Sequence, residues 1–363
     1  MTDPETWSKH ERHSAETCAK LLLTGLVSVL TRGCALLETT GMNPLRTRIL
    51  VASSVVAATV VVLSGCAATE AGPDDGASTV TIGTLRGQPH FYQPFLYEDF
   101  AADDVSYEVV TLDTTPALND ALISGAVDFA ITGVTPTISS IAQGRELKIV
   151  ASAADGGSGF IGNDSIDTLD DLVGKSVGYI QGSGQEVVMR LILADAGIDP
   201  ADLDLVVVPV PDMAGAFATG SVDAFFGVEI GASIALQNGG HELADVYDTP
   251  VGKVNIGLVT TQELIDSDPE LVQSVVDTHG ATIDYMVENQ SEWLTEMVNT
   301  FGGDQAVLES ALDNFWMRAD LPVEYQDQLE VLATEMRGLG LIEAAPTVAD
   351  LVDTSFAENL PVE

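Results

Sequence analysis

An eight-residue pattern returns at a spacing of 95: Ala121-Leu-Ile-Ser-Gly-Ala-Val-Asp128 is echoed by Ala216-Phe-Ala-Thr-Gly-Ser-Val-Asp223, which keeps its Ala, Gly, Val and Asp. Each copy reads as the end of a helix, a glycine that stops it, and a strand entered through Val-Asp. Each strand then runs into a glycine, Gly133 in the first copy and Gly227 in the second. A helix-to-strand turn repeated at corresponding places predicts two similarly built lobes. The flanking segments agree. Val80–Thr84 and Tyr107–Thr111 are short β-rich runs. Thr115 is the expected N-cap of a helix with Pro116 at its first position and Gly125 as its stop. Val127–Ile131 is the next strand, Thr135-Pro136 opens a second helix closed by Gly144, and Leu147–Ala151 is a strand again. Such alternation predicts an α/β fold with a mainly parallel sheet.

The second lobe is expected over 155–250, with strands at Ser176–Ile180 and Leu205–Val210 around a helix at Gln185–Ala196. Gly156-Gly-Ser-Gly159 and Val251-Gly-Lys253 are the crossing points, so the first lobe takes 79–154 and 251–363. Its tail, from Pro269, reads as amphipathic helices whose tryptophans and leucines belong to the core.

Residues 1–65 stand apart from the fold. Arg46 and Arg48 precede an uncharged apolar run, Ile49–Leu63, of 15 residues, which ends in Leu63-Ser-Gly-Cys66. A bilayer-spanning helix needs about 20 residues, so the run fits the core of a signal peptide. Its end resembles the bacterial lipobox, which implies export, cleavage before Cys66 and a lipid on that thiol. Residues 66–78 are then a lipidated polar leash too poor in apolar side chains to fold. Upstream, Lys20–Leu37 is a second apolar stretch broken by Arg32, and Met42 sits where such a leader would start. Of Cys18, Cys34 and Cys66, only the last survives processing, which leaves no disulfide, thiolate metal site or cysteine nucleophile. Six of the 14 basic and five of the 55 acidic residues precede Cys66, so 8 face 50 in the mature chain. That balance excludes nucleic acid as a partner, since its binding rests on basic patches.

A cleft between two α/β lobes sets strand carboxyl ends against helix N-termini, whose free N–H groups favour anions. Three loops are placed to line it: Thr84–His90, Thr132–Pro136 and Gln181–Gln185. Arg86, one of the few cations, can pair bidentately with an oxyanion. Thr132, Gly133, Thr135, Gly182, Ser183 and Gly184 supply hydroxyls or backbone N–H groups, although Thr135 and Ser183 also read as helix caps. His90 reads as a structural or rim histidine, or as a ligand contact. Glu229 can accept an amine or cap the helix that follows it. No metal site and no cofactor are expected.

These residues lie within a wider pattern. Leu118-x-x-Ala-Leu-x-x-Gly-x-Val-Asp128, Thr132-Gly-x-x-Pro136, Ala142-x-Gly-x-x-Leu-Lys-Ile-Val150, Asp164-Ser-Ile-x-x-Leu-x-Asp-Leu-x-Gly-Lys-x-Val177, Gly182-Ser183 and Gly220-x-Val-Asp-Ala224 resemble the aliphatic sulfonate, taurine and nitrate binding proteins. The resemblance implies a type II periplasmic-binding fold, with two lobes that close on a small anionic solute. It further implies an ABC importer whose permease is the partner; with the lipid on Cys66 the expected location is the extracytoplasmic face of the membrane, and a monomer without catalysis is expected. One departure stands out: that family often has Trp-(Asp/Glu)-Pro where this chain has Val228-Glu-Ile230. The acid is kept while the aromatic wall and proline are not. An organosulfonate such as taurine is the expected solute. Nitrate, bicarbonate or a thiamine-precursor pyrimidine is the alternative, for which His90, Phe91, Tyr92, Phe160, Tyr179 and Phe225 could supply stacking faces. Enzymes of this fold class lean on cysteine or clustered histidines, and here His90, His241 and His279 are scattered.

Overall fold

A computed structural model describes residues 78–358 and 360; the leader, Cys66 and most of the leash lie outside them. The spacing of 95 carries through to the pairing of strands. β1 (Ser78–Leu85) pairs in parallel with β3 (Phe129–Gly133), and β6 (Ser176–Tyr179) with β8 (Ala224–Val228). Ile82 lies opposite Phe129, and Val177 lies opposite Ala224, each 95 further on. The acid of each Val-Asp explains the constancy. Asp128 Oδ2 accepts the Thr81 N–H (2.8 Å) and hydroxyl (2.7 Å), and Asp223 Oδ2 accepts the Ser176 N–H (3.0 Å) and hydroxyl (2.8 Å). Each carboxylate thus fastens the strand it introduces to that strand's parallel neighbour, β1 in the first lobe and β6 in the second. The backbone and hydroxyl donors of Ser176 hold the Asp223 carboxyl below its usual range.

The first lobe's six strands lie in the order β11-β4-β10-β3-β1-β2, with β2 at Val105–Leu112, β4 at Leu147–Gly156, β10 at Ile256–Thr261 and β11 at Phe315–Met317. The second lobe's order is β7-β6-β8-β5-β9, with β5 at Ser158–Gly162, β7 at Asp204–Val207 and β9 at His241–Glu242. The sheets are mixed, which corrects the mainly parallel expectation. β10 runs against β3 and β4, β11 against β4, and β5 against β8. The reason is connectivity: β5 and β10 come after the two crossings and β11 arrives from the helical tail, so none is reached through a βαβ turn. The chain changes sheet between Gly156 and Ser158 and returns between Glu242 and Ile256. Gly156 and Gly157 make the first crossing with φ of +79° and +75°, where a side chain is strained. Space forbids one as well, since a Cβ on Gly157 would lie 2.1 Å from the Phe315 ring.

Helices cover the sheets. In the first lobe α1 is Thr115–Ser124 and α2 is Val134–Ala142; in the second, α3 is Gly184–Asp195, α4 Met213–Ala218 and α5 Gly231–Gln237. The N-cap of α1 is Thr114 rather than Thr115, because the Thr114 hydroxyl accepts the Ala117 N–H (3.3 Å). Gly125 stops the helix at φ +70° as expected. The tail continues as α6 (Gln262–Ser267), α7 (Pro269–Glu288), α8 (Gln290–Phe301), α9 (Gln305–Leu312), α10 (Val323–Gly338) and α11 (Val348–Leu351). Trp293 is core, fully buried with its Nε1–H on Met286 O. Trp316 is not: it is 38% exposed and carries Lys253 Nζ 3.5 Å above its ring. α10 packs against α2 of one lobe and α3 of the other, and Leu332 and Met336 share a single apolar cluster with Val187 and Ile138.

Candidate functional site

Helices α2 and α3 start across the same small cavity, one from each lobe. Each leaves first-turn N–H groups without an intrahelical acceptor. Asn255 O takes the Val134 N–H (2.9 Å) and Ser183 Oγ the Glu186 N–H (3.2 Å). The Thr135, Gly184 and Gln185 N–H groups have no acceptor among the described residues. Thr135, Gly184, Gln185, Ser158, Tyr247 and Lys253 line the space. The lobes meet tightly here, as a Cβ on Gly184 would lie 2.8 Å from Thr135 Oγ1. Two positive helix ends meet there beside Lys253, whose ammonium lies over the Trp316 ring, on an otherwise acidic chain.

The expected residues divide. Thr135 and Gly184 come together at the cavity. Gly133 is the N-cap of α2, where a Cβ would press Pro136 at 3.3 Å. Thr132 is buried and committed to Asn119 Oδ1 (3.1 Å). Ser183 caps α3 and donates its own proton to Ile180 O (2.6 Å); Gly182 gives its N–H to Glu186 Oε2 (2.7 Å). Arg86 is exposed at the end of β1, its guanidinium 3.4 Å from Thr111 Oγ1, and does not line the cavity. The basic residue that lines the cavity is Lys253.

Glu229 is buried with both oxygens engaged, by the Ser233 N–H (3.0 Å) and by Asn314 Nδ2 (2.9 Å). Burial raises its pKa, and those two bonds oppose the rise. Asn314 is the hub of the crossing. Its Nδ2 also donates to Ser158 O (3.0 Å), its Oδ1 accepts the Tyr247 hydroxyl (2.6 Å), and its O accepts the Gly157 N–H (2.7 Å). Nothing in the sequence marked Asn314, which comes after α9 in the tail. Lys253 was legible as a crossing residue and as a scarce cation, though not as a lining one.

His90 sits in a short turn, Pro89–Phe91, stacked 4.1 Å from Phe315 and 5% exposed. Burial lowers its pKa to about 3, so the ring is neutral at physiological pH. His279 is locked between Tyr97 OH and Ser152 O, and His241 bonds Ile166 O, far apart in role and place. Of the possible stacking faces, Phe91, Tyr92, Phe160, Tyr179 and Phe225 are all packed into apolar clusters.

A family model described as NMT1/THI5 like matches residues 100–293. An Escherichia coli protein provisionally named as aliphatic sulfonates-binding is 25% identical over 240 residues, 64% of this chain and 73% of its own length. A formylaminopyrimidine-binding protein of Halalkalibacterium halodurans is 24% identical over 257 residues, 66% of this chain and 76% of its own. The solved ligand-binding component of an ABC-type import system from Staphylococcus aureus superposes with a TM-score of 0.67 at 18% identity, covering 78% of this chain and 99% of that one. The fold is the type II periplasmic-binding fold.

Proposed function

Because the chain belongs to the NMT1/THI5-like family, we propose that it is the extracytoplasmic solute-binding subunit of an ABC importer, held to the membrane by a lipid on Cys66. It takes up a small anionic solute, an organosulfonate such as taurine or an alkanesulfonate, between its lobes and delivers it to a permease without chemistry. The observation that carries this reading is the pair of helix N-termini, one from each lobe, that face one cavity beside Lys253. An oxyanion there would satisfy N–H groups from both lobes at once and so favour the closed form. The relatives named for sulfonates and for ABC import support the same reading.

Thermal-shift measurements against taurine, alkanesulfonates, nitrate, bicarbonate and formylaminopyrimidine test it. A sulfonate should raise Tm, and the rise should shrink in Lys253→Met. Stabilisation by none of the sulfonates refutes the assignment. A second reading, an uncharged pyrimidine, is favoured by the stacked His90–Phe315 pair and by the pyrimidine-binding relative. Stabilisation by the pyrimidine alone selects it.

A further inference from the structure

The loop that leaves β1 holds three buried polar atoms with no partner among the described residues: Gln88 Oε1, His90 Nδ1 and Gln93 Oε1. His90 is 5% exposed and Gln93 is fully buried. A buried polar group without a partner loses its hydration and gets nothing in return. The Gln93 amide cannot be turned over to remove the deficit. Its Nε2 donates to two carbonyls, His90 O (3.0 Å) and Ala153 O (3.4 Å), and reversal would set oxygen against oxygen. Gln93 Oε1 is therefore a fixed acceptor.

The loop crosses the sheet from β1 to β4 and β11. Thr84 donates its hydroxyl to Phe91 O (2.6 Å), Gln93 reaches β4, and His90 stacks on Phe315. The Phe315 ring in turn fills the space over Gly157. The three atoms thus belong to the part of the first lobe that adjoins the crossing, where the second lobe begins. Gln88 Oε1 and Gln93 Oε1 accept only, while Nδ1 of the neutral His90 ring accepts or donates according to its tautomer. An oxyanion only accepts hydrogen bonds and would be repelled by Gln93 Oε1. An ammonium would find no carboxylate on the loop, since 86–93 contains none, and His90 is neutral.

We propose that Gln88, His90 and Gln93 form an uncharged subsite that takes a neutral N–H donor of the solute, an amide, ureido or ring-amine group. This deepens the reading of an oxyanion-bearing solute and rests on it: the solute carries the N–H group in addition to its oxyanion.

Isothermal titration of the full chain with 2-ureidoethanesulfonate, propanesulfonate and formylaminopyrimidine separates the possibilities, in the parent and in Gln93→Met. The ureido compound should bind at least about tenfold more tightly than propanesulfonate, roughly the effect of one well-placed hydrogen bond. Gln93→Met should erase that ratio and leave propanesulfonate unchanged. Equal affinity for the two sulfonates, or a ratio that survives Gln93→Met, overturns the subsite while leaving the oxyanion reading intact; the three atoms then hold only water. Binding of the pyrimidine without either sulfonate, lost in Gln93→Met, supports the subsite's chemistry and overturns the oxyanion. Binding of none of the three overturns both. Should Gln93→Met fail to fold, the imidazole nitrogens of His90 in the parent protein decide by NMR. The Nδ1 resonance should move with the ureido compound and not with propanesulfonate, and an unmoved resonance with both rejects the proposal.

Discussion

Asn314→Ala removes three side-chain hydrogen bonds at once: two donated, to Glu229 Oε1 and Ser158 O, and one accepted from the Tyr247 hydroxyl. Glu229 is 2% exposed, so water cannot replace the lost donor without opening the loop after β8. A buried group left unsatisfied costs about 1–3 kcal/mol, and more when it is charged. The main-chain bond from Gly157 to Asn314 survives the substitution. The expected loss near neutral pH is about 3 kcal/mol, equivalent to a fall in Tm of roughly 6–12 °C for a domain of this size. The deficit should depend on pH with a definite sign. Burial raises the Glu229 pKa, and the Asn314 bond works against that rise. Removing the bond raises it further, so the variant's deficit should shrink as pH falls and Glu229 is protonated in both proteins. Guanidinium titrations followed by tryptophan fluorescence and by circular dichroism, near neutral pH and in mild acid, measure both effects. A deficit under about 0.5 kcal/mol, the scale of an ordinary surface change, or one that grows in acid, refutes the reasoning.

Gly184→Ala should weaken solute binding about tenfold or more, because its Cβ would lie 2.8 Å from Thr135 Oγ1 and overpacking of this kind costs roughly 1–3 kcal/mol. Thr135→Ala in the same chain should restore the closed form seen by small-angle scattering, and undiminished binding by Gly184→Ala alone would show that the helix ends stay apart. Asp155 is buried beside Arg318, and burial lifts its pKa from 3.8 to about 6 despite that partner. The folded chain therefore binds more protons than the unfolded chain between those values, so the Asp155 contribution to stability falls by about 2–3 kcal/mol as pH rises from about 4 to 6. Stability–pH curves of the parent and Asp155→Asn should differ by that slope, and parallel curves would count against it. With 8 basic against 50 acidic residues after Cys66, self-repulsion should make Tm rise as sodium chloride is raised from low to about 1 M, and calorimetry showing a flat or falling Tm would contradict this.

The parts of the fold written in local chemistry could be read from the chain. Gly125 stops a helix because only glycine takes φ +70° cheaply, and the Val-Asp repeat marks two lobes because each acid finishes the same local connection. The direction of β5, β10 and β11 was hidden, since an isolated apolar run does not say from which side it enters a sheet. At the cleft the helix starts, at Val134 and Gly184, were legible to within two residues for the same local reason. Arg86 was placed by its loop, yet an arginine's long stem leaves the direction of its charge to whatever neighbours it meets, here Thr111. Asn314 was invisible because its partners Glu229, Tyr247 and Ser158 lie 85, 67 and 156 residues away.

The paired acids also bear on the order in which the chain assembles. Thr81 to Asp128 and Ser176 to Asp223 each close a loop of 47 residues, so the two closures carry the same entropic cost. The two lobes then part ways. The second sheet is complete within one unbroken stretch, 158–242, while the first waits for β10 at 256–261 and β11 at 315–317. A chain delivered amino end first therefore presents everything the later lobe needs before the earlier one can be finished. Maturation should proceed from the middle of the sequence outward, with the half-built first sheet the species most in need of protection.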